Sequence, residues 1–172
     1  MDKARYDAVM GLTLRSLTRG HRVLNRVTRG RIGRHFPGGQ QIVWITTLGR
    51  RSGQWRSNPL LAVRDVASGT AVDGAAVWVV AGSNAGQAKV PGWVFNVRAH
   101  PRGWLQVGDQ RWECRIDEAT GADRDRLYTA LEREWKSFAT YQRMAGRYIP
   151  VFRVVPLAAA DAHTVPPTHN TG

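Results

Sequence analysis

Two guanidinium groups, a hydroxyl and two glycines follow one another in the segment Gly49-Arg50-Arg51-Ser52-Gly53, and Arg56–Asn58 lies just beyond it. Arginine pairs with phosphate or carboxylate oxygens through two parallel hydrogen bonds, and glycine lets backbone N–H groups approach a ligand closely. The segment therefore favours binding of an anion. A solvated charged turn is the alternative that these residues leave open.

A second group of residues with chemical potential runs from Ala81 to Asn96. Its small residues, Ala81, Gly82 and Ser83, would allow a flat ring to lie on the backbone. Lys89 then precedes Pro91, which predicts the first turn of a helix over 92–99 whose free N–H groups attract anions. For Trp93 and Asn96, core packing and a local hydrogen bond are the structural alternative.

Other kinds of site find no support in the sequence. Cys114 is the only cysteine, which excludes an internal disulfide and a cysteine-based metal cage and suggests a small buried residue on a strand. The histidines lack metal-ligand spacing, so no metal is predicted. Neither a Rossmann nor a P-loop glycine pattern is present.

The elements that must position these groups are mostly strands. Runs rich in β-branched and aromatic residues predict a hairpin around the basic turn, a third strand, a second hairpin around Gly108-Asp109 and a last strand. Their predicted ranges are 42–47, 57–63, 76–81, 104–107, 111–116 and 150–155. Because they do not alternate with helices as βαβ units, we expect a small antiparallel barrel with helical additions.

Helices are predicted at the N-terminus and before the last strand. Apolar residues recur every three or four positions over 6–27, with arginines mostly off that stripe, which predicts a basic amphipathic helix. Thr120 and Asp123 resemble a capping box. The helix that follows them has an apolar face formed by Leu127, Tyr128, Leu131 and Trp135.

The length and the charge of the chain limit the number of domains and the kind of partner that can be expected. The 172 residues suggest one domain, and 42% hydrophobic residues exclude disorder of the whole chain. The formal net charge is +12, and residues 1–64 carry 13 basic side chains against Asp2 and Asp7. Such asymmetry predicts an anionic partner: nucleic acid, a membrane surface or a polyanionic small molecule.

The longest apolar stretch, 75–81, is too short to span a bilayer, so a soluble or surface-bound protein is expected.

Three segments in order resemble the deazaflavin-dependent nitroreductase family. They are Thr46–Gln54, Ala81–Pro101 with its Pro91-x-Trp93, and Tyr141–Val151, and the match extends over about residues 40–156. The resemblance implies an α+β, mainly β fold, a split β-barrel of about six antiparallel strands. It also implies coenzyme F420, an 8-hydroxy-5-deazaflavin carrying a phosphate and an oligoglutamate tail. The expected division is 1–39 N-terminal helix and loop, 40–156 barrel domain and 157–172 disordered tail.

The resemblance also implies roles for individual residues. Phosphate and glutamates would be held by Arg50, Arg51, Ser52, Arg56, Ser57, Asn58 and Pro59. The ring would lie against Ala81, Gly82, Ser83 and Asn84, with Lys89, Gly92, Trp93 and Asn96 closing the other side. Family members often have Lys where this chain has Asn84, so one ionic contact is expected to be absent.

Substrate-facing positions are implied at Trp135, Phe138 and Tyr141, of which only Tyr141 keeps a phenolic hydroxyl. That departure argues against prodrug-type nitroreduction. The predicted reaction is hydride transfer from reduced deazaflavin to a small-molecule acceptor, a quinone, enone or nitro-aromatic. Tyr141 and Ser83 are the predicted catalytic residues, polarising the acceptor.

Several alternatives remain at this level. Split barrels also bind FMN, flavin dinucleotide or haem, and the protein could be a deazaflavin carrier without turnover. Nucleic-acid binding is disfavoured because no recognition signature is present. We expect a cytoplasmic protein, with the N-terminal helix on the inner face of the membrane or over the site, and pairing as a homodimer.

Overall fold

The computed structural model describes residues 39–159. The predicted amphipathic helix over 6–27 and residues 160–172 of the predicted tail lie outside the described part. Within that part, no helix is both long and apolar enough to cross a membrane.

Six antiparallel strands close into a barrel in the order β1-β2-β3-β6-β5-β4. The strands are β1 Ile42–Leu48, β2 Trp55–Arg64, β3 Trp78–Ala81, β4 Arg102–Val107, β5 Gln110–Ala119 and β6 Val151–Ala159. The helices are α1 Gly92–Ala99, α2 Gly121–Glu134 and α3 Ser137–Ala145, with short 3-10 turns at Val66–Ser68, Val72–Gly74 and Asn84–Gly86. The predicted barrel, both hairpins and the helix over 92–99 are confirmed.

Alternation along the strands divides the apolar side chains between two cores. On β3, Trp78 and Val80 point into the barrel, whereas Val79 and Ala81 point outward beneath α2 and α3. A strand places successive side chains on opposite faces, so a strand covered on both faces is apolar throughout. Cys114 is fully buried in the barrel core, as expected, and burial raises the pKa of its thiol.

Four charged side chains tie α2 to the barrel wall. Arg153 on β6 donates to Asp65 Oδ2 at 2.7 Å and to Asp123 Oδ1 at 2.6 Å, and Arg126 donates to Asp65 Oδ1 at 3.1 Å. Burial alone would raise the pKa of Asp65, but hydrogen bonds from Ser68 and the two arginines lower it to about 2. We call these four residues, Asp65, Asp123, Arg126 and Arg153, the wall network.

Three details of the sequence interpretation are wrong. Thr120 precedes α2, but its side chain makes no capping hydrogen bond, and the Asp123 carboxylate, which a capping box would turn back to the Thr120 N–H, accepts from two guanidinium groups instead. The third strand begins at Trp78, since Ala76 forms only an isolated bridge with Thr70. β6 continues to Ala159, so 157–159 are not tail: the long strand β5 supplies pairing partners up to Trp112.

Candidate active site

The two residue groups singled out by chemistry meet at one end of the barrel. Since neighbouring strands are antiparallel, the β1–β2 turn, the end of β3 and the start of β6 share that end. The Arg50 backbone N–H donates to Asn96 Oδ1 at 3.2 Å, and Asn96 Nδ2 donates to Thr47 Oγ1 at 3.3 Å. The Arg50 guanidinium lies 4.9 Å from the centre of the Phe95 ring. Asn96 therefore joins the basic turn to α1.

The basic turn is closed by its own backbone. Gly49 N–H donates to Gln54 O, and Gly53 N–H to Gly49 O, both at 2.8 Å. A Cβ on Gly49 would lie 2.6 Å from Ser52 Oγ, and Gly53 has φ +65°. The glycines are thus required by the turn itself, which projects Arg50, Arg51 and Ser52 into solvent.

Among residues 39–159, four exposed cations without acidic partners lie at this end of the barrel, and we call them the basic rim: Arg50, Arg51, Arg56 and Lys89. All four are exposed. None forms an ion pair with an acidic side chain of residues 39–159. A group of unpaired like charges produces a positive potential that attracts anions.

The remaining predicted residues of β2 line the wall below the turn. Ser57 Oγ and Thr46 Oγ1 are 2.6 Å apart, and Asn58 Nδ2 donates to Arg56 O at 3.4 Å. Pro59 lies opposite Trp44. A proline is tolerated there because β2 pairs with β3 only from Ala62 onward.

The small residues after β3 are small for a reason that the sequence interpretation missed. A Cβ on Gly82 would lie 2.7 Å from Val94 Cγ2 and 3.0 Å from Pro150 Cγ. Ala81 belongs to the outer core, and Trp93 packs in the barrel core with its ring 5.1 Å from that of Phe152. The Ala81 and Trp93 side chains face protein and Gly82 has no side chain; that a flat ring lies against these residues stays a prediction.

Residues 83–89 form a compact loop, which we call the β3–α1 loop. Asn84, Ala85 and Gly86 all have left-handed backbones, with φ of 51°, 51° and 75°. Asn84 Nδ2 donates to Gln87 Oε1 at 3.1 Å and to Lys89 O at 3.0 Å, which braces the loop from inside. Ser83 is buried at its start, and Gly92 is exposed beyond it.

Arg147, which the sequence interpretation did not select, holds this loop from outside. Its guanidinium donates to Ala88 O at 2.9 Å, Gly82 O at 3.0 Å and Ser83 O at 3.2 Å. Burial lowers its pKa. The carbonyls of the loop that it holds lie 58 to 65 positions away in the chain, so no local pattern could have indicated the contact.

The predicted substrate residues lie on and before α3, which packs against the β3–α1 loop. A Cβ on Gly86 would come within 3.2 Å of Tyr141 Cα. Phe138 is buried, with its ring 5.5 Å from Tyr141, and Trp135 is half-buried. Tyr128 donates to Phe138 O at 2.7 Å, and burial raises the pKa of Tyr128 to about 12. Phe138 therefore packs against the Tyr141 ring from the core side, and its contact with a substrate stays a prediction.

The family model for F420H(2)-dependent quinone reductase matches residues 17–156. The chain belongs to this family. It is therefore an F420-dependent oxidoreductase with a split-barrel fold, and the predicted enzyme class, hydride-transfer chemistry and cofactor are confirmed. The family supports a quinone acceptor; the nitroreductase label stays a prediction.

Relatives and solved structures agree with this assignment. An F420H(2)-dependent quinone reductase of Mycobacterium tuberculosis is 32% identical over 138 residues, covering 78% of this chain and 87% of its own. A solved F420-H2-dependent reductase, FDR-A, is 32% identical with a TM-score of 0.56, covering 66% of this chain and 92% of its own. Another solved structure, described as a domain-swapped dimer, is 30% identical to this chain with a TM-score of 0.58. The match covers 77% of this chain and 93% of the other chain.

Proposed function

We propose that the basic rim, the β3–α1 loop and α3 together form the site where coenzyme F420 binds and a quinone is reduced. The unpaired basic rim carries the proposal. Its cations sit at the same end of the barrel as the braced loop and Tyr141, and a phosphate with a glutamate tail is the anionic partner that such a rim suits.

The residues present fit this cofactor in two ways. Arg51 and Arg56 are exposed and without acidic partners in the described chain, so both can pair with ligand oxygens. The β3–α1 loop also contains a buried donor, Gln87 Nε2, that has no partner among residues 39–159 and suits the carbonyl oxygens of a deazaflavin ring. Asn84 braces the loop and contributes no charge to the site.

When bound, reduced deazaflavin supplies a hydride. The protein must hold ring and acceptor in contact, keep water out and stabilise the negative charge that develops on the acceptor oxygen. We assign the last task to the hydroxyls of Tyr141 and Ser83. Phe138 orients the Tyr141 ring, and Tyr128 fixes the Phe138 backbone. Tyr141→Phe should lower kcat for quinone about tenfold or more; unchanged turnover would remove Tyr141 from the mechanism.

Fluorescence titration of F420 against the purified protein, with FMN at the same salt concentration, tests the proposal. We expect saturable binding of the deazaflavin at low micromolar concentration or tighter, and weak FMN binding. Preference for FMN would overturn the assignment of this site. Tight F420 binding without oxidation by any quinone would instead indicate a carrier.

We also propose two interactions of the whole chain. The basic N-terminal segment would touch the membrane from which a lipid-soluble quinone is drawn, and two chains would pair. Equal partitioning onto anionic vesicles with and without residues 1–34 would contradict the first. A monomer mass in solution at micromolar concentration would contradict the second.

A further inference from the structure

The side chain of Gln87 carries an unused hydrogen-bond donor in the middle of the β3–α1 loop. Gln87 is only 6% exposed, and its Nε2 has no partner in the described part of the chain. Buried polar groups in native proteins are nearly always paired, because an unpaired donor loses its hydration without compensation. An unpaired donor beside an active site therefore points to a partner that arrives with the ligand.

The orientation of the Gln87 amide follows from its neighbours. Asn84 Nδ2 lies 3.0 Å from Lys89 O, and only a donor can face a carbonyl oxygen, so the Asn84 amide cannot be turned. The same Nδ2 lies 3.1 Å from Gln87, which must present its acceptor, Oε1. Nε2 is therefore the atom left without a partner.

The loop has little freedom to fold inward and satisfy this donor. Arg147 holds the carbonyls of Gly82 and Ser83 before Gln87 and that of Ala88 after it. Gly86 lies against the backbone of Tyr141, and the Gln87 N–H donates to Asn84 O at 3.1 Å. The donor is thus held in place by contacts on both sides.

We propose that Gln87 Nε2 donates a hydrogen bond to a carbonyl oxygen of the molecule bound against the β3–α1 loop; this inference rests on the proposed function. A neutral N–H suits a carbonyl, whereas the charged groups of the ligand are drawn to the basic rim. The carbonyl belongs either to the deazaflavin ring or to the quinone. Gln87 is then a binding residue for the uncharged, reacting part of the ligand.

Gln87→Met tests the proposal because it keeps the length of the side chain and removes the donor. We expect the F420 dissociation constant, measured by fluorescence, or the KM for menadione to rise roughly three- to tenfold. A rise in the dissociation constant assigns the carbonyl to the cofactor, and a rise in KM alone assigns it to the quinone. Met also removes Oε1, which accepts from Asn84 Nδ2, but it relieves the burial of an unpaired donor, so the urea midpoint of the ligand-free protein should change little.

Gln106→Met is the matched control. Gln106 is also buried, but its Nε2 donates to Gly108 O at 2.8 Å in the β4–β5 turn. It should lower the urea midpoint and leave both constants unchanged. Unchanged constants in Gln87→Met, or a midpoint lowered as far as in Gln106→Met, would overturn the proposal. Failure of the wild-type protein to bind F420 would overturn the proposed function instead. An FMN titration and the urea midpoints of the two variants would then still test whether Gln87 binds a ligand or only stabilises the fold.

Discussion

The basic rim and the wall network use the same side chain in opposite ways. In the wall network, Arg126 and Arg153 share two carboxylates, and Asp65 is 3% exposed. In the rim, Arg51 and Arg56 extend into solvent without an acidic partner among residues 39–159. A buried carboxylate needs its guanidinium partners to fold, whereas an exposed unpaired arginine leaves its hydrogen bonds for a ligand. The comparison separates arginines that stabilise the fold from those available for binding.

The largest expected effect is on stability, from Asp65→Asn. Removing the buried carboxylate leaves the two guanidinium groups of the wall network to share Asp123 alone, so the free energy of unfolding should fall by about 3 kcal/mol. Urea denaturation measures it. Asp73→Asn, the same change at an exposed site, should have an effect within about 0.5 kcal/mol. Equal effects would show that the burial and pairing of Asp65 do not stabilise the fold.

The second largest effect is expected on F420 binding, in the double variant that combines Arg51→Gln with Arg56→Gln. Two lost charge-assisted hydrogen bonds should weaken F420 binding about 100-fold, while the urea midpoint stays near wild type. The control combines Arg102→Gln with Arg115→Gln, which removes the same charge where each arginine pairs with a carboxylate. A similar loss of affinity in this control would mean that net charge, not the rim, attracts the cofactor.

Low pH should reduce the stability that the wall network gives to the fold. The pKa of Asp65 is about 2 in the folded protein against 3.8 for the free side chain, so the folded state favours the ionised form. This contribution is complete above pH 3.8 and is lost as pH falls toward 2; it amounts to about 2 kcal/mol. Urea midpoints between pH 5 and pH 2.5 should fall more steeply for wild type than for Asp65→Asn. Parallel curves would show that another group controls acid stability.

The smallest effect is expected for Arg147→Lys. Arg147 is a third kind of arginine, because it pairs with backbone carbonyls and not with carboxylates. Arg147→Lys keeps the charge but cannot reach all of these oxygens, so amides of the β3–α1 loop should exchange hydrogen faster. F420 binding should weaken about tenfold through misplacement of the loop. Arg143→Lys, on the exposed face of α3, is the control. Unchanged amide hydrogen exchange in Arg147→Lys would show that the β3–α1 loop keeps its conformation without the Arg147 hydrogen bonds.

Much of the fold was predictable because its signals are local. β-branched runs, the glycine turns and Pro91 before α1 each act within a few residues, and the structure confirms the hairpins and the helix bounds. The basic turn was also predictable, since its chemistry is carried by adjacent residues. The capping box was wrong: the Asp123 carboxylate accepts from Arg126 on the same helix and from Arg153 on β6, far away in the chain.

Residue types and order by themselves determined a mainly β barrel and its basic turn, and they predicted an anionic partner for that turn. Only the tertiary structure decided which small residues are required by packing, as Gly82 is by Val94 and Pro150. It also decided that Trp93 and Phe138 are core residues, that Arg147 fixes the β3–α1 loop, and that Gln87 retains an unpaired donor. The physical reason is distance along the chain: closure of the barrel brings together groups whose hydrogen bonds and burial no local pattern encodes.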